Sequence, residues 1–144
     1  MKKLILITIA AFTLNAESIK HIKYPDIEVS KITSVYDGDT FRANLKDMPK
    51  IVGYRMSIRI NGIDTPEKRG KCQKEKDLAL QAKKTTKNLL KNANSIILKN
   101  IQRGKYFRIV ADVYTDDISI AEELIKQNLA VPYDGGHKAK NWCE

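Results

Sequence analysis

The strongest constraint on this chain is the order in which two hydrophobic periodicities follow one another. Runs with a strand's period of two cover Val29–Val35, Thr40–Leu45 and Ile51–Ile60. The turn Asp37-Gly38-Asp39 separates the first two, and Lys46-Asp47-Met48-Pro49 separates the next pair. In the third run Met56, Ile58 and Ile60 share one face, with Arg55, Ser57 and Arg59 on the other. The period then changes to that of a helix over Lys74–Asn92: Leu78, Ala82 and Leu89 form an apolar side, and Lys83, Lys87 and Lys91 a solvated one. A short strand at Ser95–Leu98 and a longer one at Phe107–Tyr114 follow. In the longer strand Phe107, Ile109, Ala111 and Val113 point one way and Arg108 the other. Ser119 and Glu122 then form a capping box, opening a helix that buries Ile120, Leu124 and Ile125 and ends near Asn128.

Three strands, a helix, two strands and a helix predict an α+β chain: a five-stranded OB-fold Greek-key β-barrel with two to three helices, since that fold sets its main helix between strands three and four. A small α+β sandwich has the same element order and is the alternative. The 144 residues carry no internal repeat and no low-complexity segment, and suit one domain. Residues 31–144 are expected to form it, behind an arm at 17–30 that Pro25 keeps irregular.

Met1-Lys2-Lys3 precedes the apolar run Leu4–Leu14, too short to cross a bilayer core in helix. The pattern is that of a secretory signal over residues 1–16, with Ala16 as the last residue before cleavage. The mature protein is then exported, periplasmic or secreted, without stable membrane association. Export would expose Cys72 and Cys143 to an oxidising compartment, where they can pair; two separate thiols are the alternative. No C-x-x-C occurs, and neither His21 nor His137 has a partner at zinc-ligand spacing. The formal charge of +9, which stays strongly positive without Lys2 and Lys3, favours polyanionic partners.

The chemistry-bearing residues are acidic and lie in turns. Asp37 and Asp39 flank a glycine, so one tight turn can present both, and Asp64 with Glu67 follows the third strand. Carboxylates brought so close repel one another unless a cation lies between them. Calcium suits such an oxygen-rich site, because it accepts six to eight oxygen ligands in flexible geometry. Arg59 shares the strand that leads to Asp64, and Arg108 projects from the polar face of a later strand. Paired guanidinium forks beside a metal and a free carboxylate suit attack on a phosphodiester: they bind phosphate oxygens and stabilise the charge that develops on them.

Asp37-Gly38-Asp39-Thr40, the run Arg59-Ile60-Asn61-Gly62-Ile63-Asp64-Thr65-Pro66-Glu67, and Lys105-Tyr106-Phe107-Arg108 resemble the staphylococcal-nuclease-like (thermonuclease) family, over about residues 32–133. The resemblance implies an OB barrel and a calcium-dependent phosphodiesterase, with one ion, that cuts DNA and RNA at low sequence specificity, leaves 3′-phosphates and works as a monomer. By position, Asp39, Asp64 and the Thr65 carbonyl look like the metal ligands, with Asp37 acting through water. Glu67 matches the family's general base, Arg59 and Arg108 its phosphate-clamping pair, and Lys105, Tyr106 and Tyr133 its nucleotide contacts. Two departures stand out. Phe107 occupies a position where the family usually has glycine, and a bulky residue resists the positive φ open to glycine. The chain stops at Glu144, short of the long terminal helix of some members, and a Cys72–Cys143 disulfide would fix this tail beside the active-site loop.

The runner-up is a non-catalytic OB-fold module binding single-stranded nucleic acid. It would use exposed aromatics among Phe41, Tyr54, Tyr106 and Tyr133, but has no use for a carboxylate cluster facing phosphates. A basic protein docking on anionic membranes would explain the charge and leave the acidic motifs idle. Lys68, Arg69, Lys71, Lys74 and Lys76 are expected to hold substrate electrostatically, or to form a solvated loop.

Overall fold

The computed structural model describes residues 23–144. The signal expected at 1–16, and residues 17–22 of the arm, lie outside them. The elements are β1 (Ile27–Val35), β2 (Thr40–Leu45), α1 (Lys50–Gly53), β3 (Met56–Ile60), β4 (Ile63–Asp64), α2 (Gln73–Asn92), β5 (Ile96–Arg103), β6 (Ile109–Thr115), β7 (Ile118–Ser119), α3 (Ile120–Lys126) and β8 (Val131–Pro132).

The principal sheet runs β3-β2-β1-β5-β6-β7, and a parallel β3–β6 pairing joins its ends, with Ile58 opposite Ile109 and Ile60 opposite Ala111. Strands β1, β2, β3, β5 and β6 therefore close the five-stranded OB barrel, accompanied by three helices. The alternation of the strands delivers the interior: Phe41, Ile58, Ile60, Leu98 and Val113 are fully buried, capped by Ile120 and Leu124 from α3. Ser119 is the N-cap as expected, its Oγ accepting from the Glu122 amide at 3.3 Å. Among the described residues no helix is long and apolar enough to cross a membrane.

Four local expectations are corrected. The run Ile51–Ile60 is a strand only from Met56; its first part is the helical turn α1, and Ile51 is exposed. Pro49 is the N-cap of that turn and presets its backbone, which the apparent alternation concealed. The strand expected at Ser95–Leu98 runs on to Arg103, past a register shift between Lys99 and Gln102 where Asn100 takes a left-handed φ. On α2 the fully buried face is Ala79, Ala82, Thr86 and Leu90, leaving Leu78 and Leu89 only partly buried. Small residues line that face because the Asp37–Asp39 turn packs directly on it: a Cβ on Gly38 would stand 2.7 Å from Ala82 Cβ.

Phe107 is the fourth. It does not continue the apolar alternation of β6, which starts only at Ile109, and its ring is 58% exposed. Tyr106 and Phe107 both adopt left-handed φ, 57° and 56°. The tight β5–β6 connection demands this, for it is closed by the Gly104 amide donating to the Arg108 carbonyl at 2.7 Å and by the Arg108 amide donating to Lys105 at 3.2 Å. Phe107 thus takes the backbone conformation that glycine would adopt most easily. Each non-glycine residue held there costs about 1–2 kcal/mol.

Candidate active site

The acidic and basic residues converge at one end of the barrel because of its strand register. Thr40 lies opposite Arg59 across β2–β3, so the residue before Thr40, Asp39, reaches the Arg59 side chain. Arg59 Nη1 donates to Asp39 Oδ2 at 2.6 Å, and the other carboxylate oxygen accepts from Thr40 Oγ1 at 2.8 Å. Arg59 Nη2 donates to the Ile63 carbonyl at 3.0 Å and lies 3.8 Å from Asp64 Oδ1. The short pair β4–β8 sets Asp64 opposite Val131, and so brings Tyr133 to the site, where its ring lies 5.8 Å from the Arg59 guanidinium.

The turn carrying Asp37 and Asp39 is held from beneath. Thr86, fully buried on α2, donates its hydroxyl to the Gly38 carbonyl at 2.6 Å. Asp39, Asp64 and Thr65 are buried. The carboxyl of Asp37 is pushed up to about 6, by burial first and then by the negative charge of Asp39, against a smaller opposing pull from Lys68.

Glu67 sits on the loop between β4 and α2, a loop organised by Glu75. This buried carboxylate accepts from the Glu67 amide at 3.3 Å and from the Lys71 amide at 2.9 Å. Sequence reasoning passed over Glu75. Its signal was an acid in the first turn of α2, directly after a glycine- and lysine-rich loop with unpaired amides.

Arg59, Arg108, Lys105 and Tyr133 border a groove of about 440 Å³. Arg108 stands just before β6, half buried, and its Nε has no hydrogen-bond partner among the described residues. Tyr106 is 94% exposed at the tip of the hairpin. Lys74, expected among the substrate-holding cations, donates instead to the Glu144 carbonyl. Cys72 and Cys143 are joined in a disulfide. Glu75 approaches both sulfurs, but their valence is spent in that bond and they leave no thiolate for a metal.

Lys138 is the second residue that sequence reasoning missed. It belongs to the irregular stretch after Tyr133, and its ammonium donates to Glu67 Oε1 at 2.6 Å and lies 2.8 Å from Asp64 Oδ1. Burial pulls its pKa down, but the bonds and charges of Asp64 and Glu67 outweigh that and hold it above an ordinary lysine. That ammonium is an ionic partner for Asp64 Oδ1, whereas Asp37 Oδ1 is a buried oxygen with no hydrogen-bond partner among the described residues. An all-oxygen donor set with such an orphan fits a hard divalent cation.

Barrel and site together define an OB-fold domain with carboxylates and guanidinium groups gathered on one rim. More particularly, the chain belongs to the family of staphylococcal nuclease homologues, whose model matches residues 57–142. The Asp37–Thr40 turn precedes the matched stretch and reaches the site through the β2–β3 register. The chain is also similar to a protein of Schizosaccharomyces pombe described as a probable endonuclease, with 28% identity over 151 residues. The alignment takes in 89% of this chain and 65% of that relative, so the chain spans about two thirds of the relative's length.

Proposed function

We propose that this protein is an exported, calcium-dependent nuclease that hydrolyses DNA and RNA with low sequence specificity, as a monomer, and leaves 3′-phosphates. The observation that carries the reading is the meeting of Asp39 and Asp64 with Arg59 beside a groove into which Arg108 brings an unpartnered guanidinium nitrogen. Membership of the nuclease family and the similarity to a probable endonuclease support it.

In this reading Asp39, Asp64 and the Thr65 carbonyl hold the ion, with Asp37 acting through water. The ion, when bound, neutralises a non-bridging phosphate oxygen and orients the substrate. Glu67 accepts a proton from the attacking water. The resulting oxygen bonds to phosphorus, the bond to the 5′ oxygen breaks, and solvent supplies that oxygen's proton. Arg59 and Arg108 bind the non-bridging oxygens, whose negative charge grows as the fifth bond forms. Arg59 must then loosen its hold on Asp39. Lys105, Tyr106 and Tyr133 line the nucleotide path. Export is supported by the signal pattern at 1–16 and by the disulfide, which is stable outside reducing compartments.

The exposure of Tyr106 and Phe107 favours a second reading, a module that binds single strands by base stacking and does not cut them. One assay separates the two: hydrolysis of denatured DNA with calcium or with chelator, alongside Glu67→Gln and Arg59→Ala. Calcium-dependent cleavage lost in both variants is expected. Tight binding without cleavage under any divalent metal favours the binding module.

A further inference from the structure

Residues 133–144 form no helix or strand, yet the stretch is tied down at both ends. At its start the Tyr133 amide donates to the Gly62 carbonyl at 2.9 Å. At its end Cys143 is bonded to Cys72 at the N-cap of α2, and Trp142 is buried. Between these anchors the strap crosses the acidic rim and sets the Lys138 ammonium between Asp64 and Glu67. Surface ion pairs between long side chains usually contribute little, because each partner is hydrated and free to move. The Lys138–Asp64 pair differs in one partner's burial and in the tethering of the other. Asp64 has a side chain only 6% exposed, and the double anchorage restricts how far the ammonium can retreat. Three of the rim's acids have a cation from the chain itself: Arg59 pairs with Asp39, and Lys138 with Asp64 and Glu67.

From this geometry we infer that Lys138 is a tethered resident cation: it competes with the divalent ion for Asp64, and the Cys72–Cys143 bond sets how strongly it competes. The inference rests on the metal-dependent nuclease reading and adds a residue and a covalent bond to it. A divalent ion ligated by Asp64 would lie within a few ångströms of an ammonium that stands 2.8 Å from Oδ1, so the repulsion between the two cations opposes loading and favours withdrawal of Lys138. Tethering keeps the ammonium at high local concentration, as a linker does for a second binding module, and opening the disulfide dilutes it.

The test is a calcium titration of the oxidised full chain by calorimetry, for the parent, Lys138→Met, Lys140→Met and Cys72→Ser/Cys143→Ser. Lys140 rides the same strap, but its amine lies over the Trp142 ring at 5.7 Å. Lys138→Met should bind calcium about tenfold more tightly, Lys140→Met within about twofold of the parent, and the disulfide-free chain in between. Thermal melts in chelator and in calcium give a second readout: calcium should raise the melting temperature further in Lys138→Met than in the parent. If Met at 138 prevents folding, Lys138→Gln carries the same expectation. Equal affinity in the parent and the Lys138 variant overturns the inference while leaving the metal site standing, and so does an equal gain in Lys140→Met. Absence of calcium binding in every form overturns the inference together with the metal reading.

Discussion

Gly38→Ala tests how the helix beneath the site governs the site itself. The added Cβ would stand 2.7 Å from Ala82 Cβ and 2.9 Å from Thr65 Cγ2, both closer than real Cβ contacts allow. Neither neighbour can swing aside: Ala82 has no rotamers and is fixed to α2, and Thr65 is buried. The turn must therefore lift. Overpacking of this kind costs about 1–3 kcal/mol. Lifting also stretches the buried bond from Thr86 to the Gly38 carbonyl, which adds about 1 kcal/mol or more. A total of about 3 kcal/mol corresponds to a melting temperature lower by roughly 6–15 °C for a domain of this size. Because Asp37 and Asp39 ride on the same turn, calcium affinity should fall by about tenfold, a 1.4 kcal/mol loss. Differential scanning calorimetry and calcium titration, well below the new midpoint, read the two effects separately. The double variant Gly38→Ala/Ala82→Gly should recover part of the stability, with a favourable coupling above about 0.5 kcal/mol. A melting temperature within about 2 °C of the parent and an unchanged calcium affinity would refute the close packing of the turn on α2.

Two further predictions concern carboxylates that the site leaves in unusual surroundings. Since Asp37 titrates near 6 in the folded chain against an ordinary 3.8, the folded state binds the extra proton, and ionising the group opposes folding. That penalty is complete above about pH 6 and absent below the ordinary value; discounted for partial solvent access, it is about 1–2 kcal/mol. Asp37→Asn in chelator should therefore gain about that much at pH 8 and nothing near pH 3.5, and a gain independent of pH in urea melts would contradict the assignment. Glu75→Gln removes one of the two acceptors that hold the Glu67 and Lys71 amides, and should cost about 1–3 kcal/mol. Amide exchange at Lys71 should speed up by at least about tenfold, whereas unchanged exchange would assign the loop's order to other contacts.

Much of the barrel was legible because strands and a long helix impose different periods on apolar residues, and those periods survive in the bare sequence. The β2 and β6 patterns, the capping box at Ser119 and the reach of α2 are all local signals. The misses have two causes: local turn chemistry that interrupts an apparent alternation, and a distant covalent tie that the pattern does not record. Ile51 and Val52 read as strand because they continue an alternation, and only Pro49 hinted at the turn that forms there. Phe107 extended an apolar stripe, while the closure between Gly104 and Arg108 required left-handed backbone in its place. Asp-Gly-Asp alone reads as an ordinary hairpin turn; the motifs were legible as chemistry through their company with Arg59, Asp64, Glu67 and Arg108. Their company with Lys138 was not, because the strap has no period and its position follows from a disulfide that closes at the far end of the chain.

The site's electrostatics follow from the fold in one more way. Parallel closure of the barrel sets Arg59 opposite Val110 and brings the start of β6, with Arg108, to the same end of the barrel as the Asp39 turn. A guanidinium so placed has two alternative partners, the carboxylate it now holds at 2.6 Å and a phosphate in the groove. If Arg59 stayed on Asp39, the site would carry a neutral pair and little attraction for a polyanion. If it left without replacement, Asp39 and Asp64 would face each other unscreened. In the proposed reading a divalent ion would resolve the conflict by drawing on both carboxylates, which would free the arginine for phosphate. Metal loading and substrate binding are then the same rearrangement seen from two sides, and each should tighten the other in equilibrium titrations.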